Sequence, residues 1–130
     1  MATINRFEDI EIWQKARELS KIIIKLSKET ELSNDFRLKD QIKASSGSVM
    51  DNIAEGFERD GNIEFRQFLS FAKGSAGESR SQVYRVYDSE YIDEQTFQNL
   101  IKEYETLSKR IANFINYLNK KDYKGLKFKE

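Results

Sequence analysis

Two rows of cations are the residues of this sequence best placed to do chemistry. Arg66, Lys73 and Arg80 recur every seven positions, and Arg17, Lys21, Lys25 and Lys28 follow one another at steps of four, four and three. On an α-helix each row falls on one face. Such a face can follow a phosphate backbone. Tyr84 and Tyr87, which continue the first row together with Ser70 and Gly77, could stack on unpaired bases. An ordinary solvated helix surface produces the same spacing, so the rows are candidates and no more than that.

Carboxylates offer a second chemistry. Asp51 and Glu55 stand one helical turn apart, with Glu64 and Glu78 further along, and oxygen ligands of this kind suit magnesium. Acids on helix surfaces are ordinarily just solvated, and a di-iron bundle needs Glu-x-x-His on two helices. The 130 residues contain no His, no Cys and no Pro. Disulfides, thiolate zinc sites and His-activated nucleophiles are thereby excluded. Gly74-Ser75-Ala76-Gly77 lacks the Lys and the preceding strand of a phosphate loop. We therefore expect no enzyme, no cofactor, no metal site and no small-molecule substrate.

A third cluster is polar and small. Ser45, Ser46, Gly47, Ser48 and Asn52 occupy a stretch where large apolar side chains would normally pack. Close approach to a facing surface of Ala72, Ser75, Ala76 and Ser79 explains it, with Asn52 satisfied by a hydrogen bond inside the interface. A ligand- or subunit-contacting role for Asn52, Glu55 and Gly56 is the alternative.

All these residues fall on segments with helical periodicity. The first runs from about residue 9 to 29, with Ile12, Ala16, Leu19, Ile23 and Leu26 inward and Trp13 beside them. The second spans about 35–57, capped by Ser33 or Asn34, and points Ile42, Ser45, Ser46, Val49, Ile53 and Phe57 inward. A tight turn over Gly56, Arg59, Asp60 and Gly61 precedes a third helix of about 63–88, with Asn62 as its cap. This helix should continue through Gly74 and Gly77, although each weakens it by about 1 kcal/mol relative to Ala. The fourth, about 93–120, starts at the good N-cap Asp93 and buries Phe97, Leu100, Ile101, Tyr104, Leu107 and Ile111. Similar lengths and short loops favour an all-α, antiparallel up-down-up-down four-helix bundle over residues 1–120. Residues 121–130 read as a flexible, Lys-rich tail. Lys and Arg total 22 and Asp and Glu total 22, for a formal net charge of zero. That balance restricts any anion-binding surface to local patches. The longest apolar run, Ile22-Ile23-Ile24, is far too short to span a membrane, so a cytoplasmic location is expected.

Three segments carry a family resemblance: residues 7–16, FEDIEIWQKA; residues 52–57, NIAEGF; and residues 64–69, EFRQFL, followed by Gly74, Ser75 and Glu78. In this order and spacing they resemble the bacterial four-helix-bundle family of proteins encoded in intervening sequences of large-subunit ribosomal RNA genes, labelled ribosomal protein-like. They are also similar to the accessory variability determinant of diversity-generating retroelements. The resemblance implies a ring-like homopentamer without catalytic activity, and partners that are RNA or RNA-associated proteins. Under it, Arg17, Lys21, Lys25, Arg66, Lys73 and Arg80 are the expected nucleic-acid contacts. Ser45, Asn52, Glu55, Gly56 and Ser75 are the expected packing or interface residues. A protein-interaction module that never touches nucleic acid is the competing expectation. Family members usually carry a Pro shortly before the Asn-Ile-Ala-Glu-Gly segment. Here Val49-Met50-Asp51 leads in, so the second helix should be straighter or kinked at Gly47.

Overall fold

The computed structural model describes residues 4–121. Its helices are α1 (Glu11–Glu29), α2 (Phe36–Glu58), α3 (Asn62–Asp88) and α4 (Glu94–Asn119), with no strand among the described residues. Neighbouring helices run antiparallel. On α3 and α4, Arg66 meets Asn119 and Arg80 meets Glu105, so a step forward along one helix is a step back along the other. On α2 and α3 the partners of Gln41, Ser45 and Ser48 likewise fall back from Arg85 through Ser79 to Ser75. The helices close in the cyclic order α1–α2–α3–α4, and the α1–α4 pairing is the sparsest of the four.

The apolar stripes meet along the bundle axis. Leu19, Ile23, Ile42, Ile53, Phe65, Leu69, Leu107 and Ile111 are all almost completely buried. Each such side chain removed from water contributes about 1.5–3 kcal/mol. Phe68, Ser75, Phe114 and Ile115 are half-buried at the edges of the stripe. α3 runs unbroken through Gly74 and Gly77, and α2 runs unbroken through Gly47.

The helix starts differ from expectation in three places. α1 begins at Glu11, because Phe7–Asp9 forms a 3-10 turn and the buried Ile10 takes extended backbone to reach the core. Leu32 is drawn into the core by a second 3-10 turn, Glu31–Asn34, which uses up the expected caps Ser33 and Asn34. Asp35 caps α2 instead: its Oδ1 accepts from the Leu38 N–H at 3.2 Å, and its Oδ2 accepts from the Tyr91 hydroxyl at 2.9 Å. At α3 the N-cap is Gly61, whose φ of 98° a side chain would strain, and Asn62 lies inside the helix with its amide directed at α4. Asp93 caps α4 as read, accepting from the Thr96 N–H at 2.8 Å. The Thr96 N–H, helped by the Thr96 hydroxyl, holds the Asp93 carboxyl below its usual range, so the cap is present at neutral pH and lost as acid protonates it. The expected tail falls, except for Lys121, outside the described residues.

The α3–α4 corner carries a strained residue. α3 ends with Tyr91 N–H bonded to Val86 C=O at 3.1 Å, and the left-handed position between them is Glu90, at φ 63°. Glycine takes that conformation without a Cβ penalty. Glu90→Gly should therefore raise stability by about 1 kcal/mol, measured as a higher urea midpoint at unchanged slope. An unchanged or lower midpoint would show that the Glu90 side chain recovers the backbone cost.

Candidate nucleic-acid interface

The polar cluster of α2 lies against α3 in two hydrogen-bonded groups. Ser45 Oγ donates to Gln82 Oε1 at 2.6 Å and lies 2.8 Å from Ser79 Oγ. Ser75 Oγ donates to Ser48 Oγ at 3.1 Å, and Asn52 Nδ2 donates to the Ser48 carbonyl and hydroxyl on its own helix. Asn52 thus ties down Ser48 and does not itself reach α3. At Gly56 the helices approach closely: a Cβ there would lie 2.6 Å from Phe68 Cβ and 3.1 Å from Phe65 Cδ1. Glu55 does not belong to this packed contact. It is exposed and holds Arg59 Nη2 at 2.9 Å, while Glu64 approaches Arg59 Nη1 at 3.5 Å. Hydrogen bonding to Glu55 is the main cause that pushes the Arg59 guanidinium above its usual range. Asp51, Glu55, Glu64 and Glu78 do not converge: no group of three or more potential metal ligands occurs among the described residues.

The α3 row borders the groove between α3 and α4. Lys73 is exposed, whereas Arg66 hydrogen-bonds Asn119 and Arg80 pairs with Glu105 at 3.6 Å. Tyr84 and Tyr87 are committed to packing on Phe97, Tyr87 stacked at 4.2 Å and Tyr84 edge-on at 5.1 Å. Opposite the row, Lys102, Glu105, Lys109, Ala112, Asn116 and Asn119 recur at three- and four-residue steps on one face of α4. Lys102, Lys109 and Lys120 are exposed, and Glu105 is the one acid in that α4 series. The single-helix row is thus half of a two-helix basic face about 21 Å long from Arg66 to Arg80. Lys102 and Lys109 are missed when each helix is read alone. Only the antiparallel α3–α4 register sets them beside the α3 row.

The α1 row stands apart. Arg17, Lys21, Lys25 and Lys28 are all exposed, and the Arg17 guanidinium lies 5.8 Å from the Trp13 ring centre. α1 occupies the corner of the bundle diagonal to α3, so the two rows face away from each other.

The model of the 23S rRNA-intervening sequence proteins matches residues 8–113, which is most of the bundle. The chain belongs to that family. A solved structure from Bacteroides thetaiotaomicron VPI-5482, a protein of unknown function from the S23 ribosomal protein family, shares the fold. The TM-score is 0.72 at 22 % identity, over 80 % of this chain and 97 % of that one. No curated protein matches. For this intervening-sequence protein, no helix among the described residues is long and apolar enough to cross a membrane.

Proposed function

We propose that this intervening-sequence protein is a non-enzymatic, self-associating scaffold that contacts structured RNA, or an RNA–protein complex, through its basic helix faces. The observation that carries the reading is the α3–α4 face, along which Arg66, Lys73, Arg80, Lys102, Lys109 and Lys120 lie, with Glu105 the single acid of the α4 series, on a chain of zero formal net charge. Charge segregated in this way is what a neutral protein needs to hold a polyanion. The family's name, and the ribosomal family of the structural neighbour, favour RNA as that polyanion. The diverging α1 row, Arg17, Lys21 and Lys25, supplies a second contact, to another segment of the same RNA. A ring-like homopentamer, as the family resemblance implies, is the proposed assembly.

Fluorescence anisotropy of the nuclease-treated protein with a structured ribosomal-RNA fragment and with duplex DNA, at about 50 and 200 mM salt, tests the RNA contact. We expect RNA to bind more tightly and with strong salt sensitivity. Lys73→Glu combined with Lys109→Glu should lower the log–log salt slope by about 2 and weaken all RNA sequences alike. Binding that ignores the double substitution would remove the α3–α4 face from the reading.

A second reading, a protein-interaction module, is favoured by one feature. Phe71 is 49 % exposed and meets Phe68 edge-on at 5.6 Å, while the Arg59 guanidinium lies 5.0 Å over Phe68. Aromatic and Arg side chains held in place are typical binding anchors. In this reading Phe71→Ser abolishes assembly or partner capture seen by light scattering, and RNA affinity is negligible throughout.

A further inference from the structure

Arg66 meets Asn119 and Arg80 meets Glu105 across the α3–α4 groove, and the residue numbers of both pairs add to the same total. One register therefore runs the length of the groove. It sets Lys120 level with Arg66, Lys109 within a turn of Lys73, and Lys102 within a turn of Arg80. Three cation pairs result, each with one member from either helix, on axes about 8–10 Å apart. Glu105 lies 3.6 Å from Arg80 and offsets its charge, so the first two pairs carry most of the free charge of the face. Their midpoints are about 14 Å apart along α3.

Between those two pairs the groove is polar and neutral. The same register brings Asn116 of α4 level with Ser70 of α3, and both are exposed. Neither makes a side-chain hydrogen bond among the described residues. The serines on the opposite flank of α3, Ser75 and Ser79, are by contrast engaged with α2.

We infer that, within the RNA reading above and resting on it, Ser70 and Asn116 are the residues by which this face distinguishes RNA from DNA, through hydrogen bonds to a ribose 2′-hydroxyl. Consecutive phosphates of a strand are separated by a sugar, so a groove that holds phosphates at two separated points lays sugars against what stands between them. A strand held by its phosphates from both walls turns its backbone to the protein and its bases away. The chemistry within reach of Ser70 and Asn116 is then the sugar edge, where RNA carries one group that DNA lacks. The 2′-hydroxyl both donates and accepts. A serine hydroxyl and an asparagine amide do the same, so they can serve it in either sense. The cations cannot draw the distinction, because the phosphate is common to both polymers.

Anisotropy titrations of the full chain with an RNA hairpin, and with the same sequence as 2′-O-methyl RNA, test the assignment. The methylated probe keeps the phosphates and the A-form geometry but cannot donate from its 2′-oxygen. The unaltered protein should bind the hydroxyl probe about ten-fold more tightly. Ser70→Ala combined with Asn116→Ala should abolish that preference by weakening the hydroxyl probe alone. The log–log salt slope should stay unchanged, because no phosphate contact is lost. Both side chains are exposed, so folding survives the change. Ser70→Thr, which retains the hydroxyl, should preserve the preference. Equal binding of the two probes by the unaltered protein, or a preference that survives the double variant, would overturn the inference while leaving RNA binding by the basic face in place. Binding of neither probe would overturn the functional reading and this inference with it.

Discussion

Gly56→Ala should lower stability by about 2 kcal/mol and the thermal midpoint by roughly 10 °C. In most helices the same change stabilises by about 1 kcal/mol, because alanine is the better helix former. Here the added methyl would stand 2.6 Å from Phe68 Cβ, an atom fixed to the α3 backbone, and 3.1 Å from the buried Phe65 ring. Phe65 has little room to yield, since it packs edge-on between Phe57 at 5.9 Å and Phe114 at 5.6 Å. The helices must therefore separate there. Gly47, Gly74 and Gly77 supply the control, because nothing lies within 4 Å of a Cβ built on any of them. Alanine at those positions should leave the midpoint unchanged or raise it. If Gly56→Ala behaved as they do, close approach would not be the reason for glycine at this site.

Gln82→Leu should cost about 1–3 kcal/mol, even though it places an apolar residue in a site only 5 % exposed. The loss arises from what remains. Ser45 would keep its contact with Ser79 and a weaker bond to the Ile42 carbonyl at 3.3 Å, but its 2.6 Å bond to Gln82 would be gone. The neighbouring polar groups have nothing in reserve. Burial pushes the Tyr104 phenol well above its usual range, an effect that Ser79 offsets only in part, and the phenol oxygen already lacks a partner of hydrogen-bonding geometry among the described residues. Adding Ser45→Ala and Ser79→Ala to Gln82→Leu removes the stranded groups with their partner. We therefore expect the triple variant to be more stable than the sum of the single losses predicts, as read by urea denaturation of the unaltered protein, the three single variants and the triple variant. Strict additivity would show that the hydroxyls and the amide act independently.

Much of the bundle is legible because a period of 3.6 residues records which side of each helix is dry. Ile42, Ile53, Leu69, Ala76 and Ile111 can be placed inward from spacing alone, and Asp93 announces the start of α4. Three kinds of feature are not recorded that way. Short 3-10 turns have no period, so Leu32 is indistinguishable from a loop residue until its burial is seen. Capping residues compete locally, and tertiary packing decided between Ser33, Asn34 and Asp35. Partners on other helices are invisible to a reading of one helix. Asn62 therefore reads as a cap while its amide serves α4, and Lys102 and Lys109 read as unrelated surface charges while they complete the face begun by Arg66, Lys73 and Arg80. Glu55 does not pack in the α2–α3 seam, because the neighbouring Arg59 claims it.

The sparse pairing of α1 with α4 has a kinetic meaning. All other major contacts join helices adjacent in sequence, so a growing chain can assemble α2 on α3 and α3 on α4 by closing only short loops, and contact order stays low. Folding in the microsecond-to-millisecond range is the corresponding expectation. Docking of α1 against α4 closes the longest loop for the fewest contacts. In the native protein this joint should open first, as a partial unfolding that releases α1 while the α2–α3–α4 unit persists. The α1 amides should then exchange faster than those of α3, and every such opening would bare Leu19 and Ile23, making α1 the segment through which the bundle is most open to proteolysis.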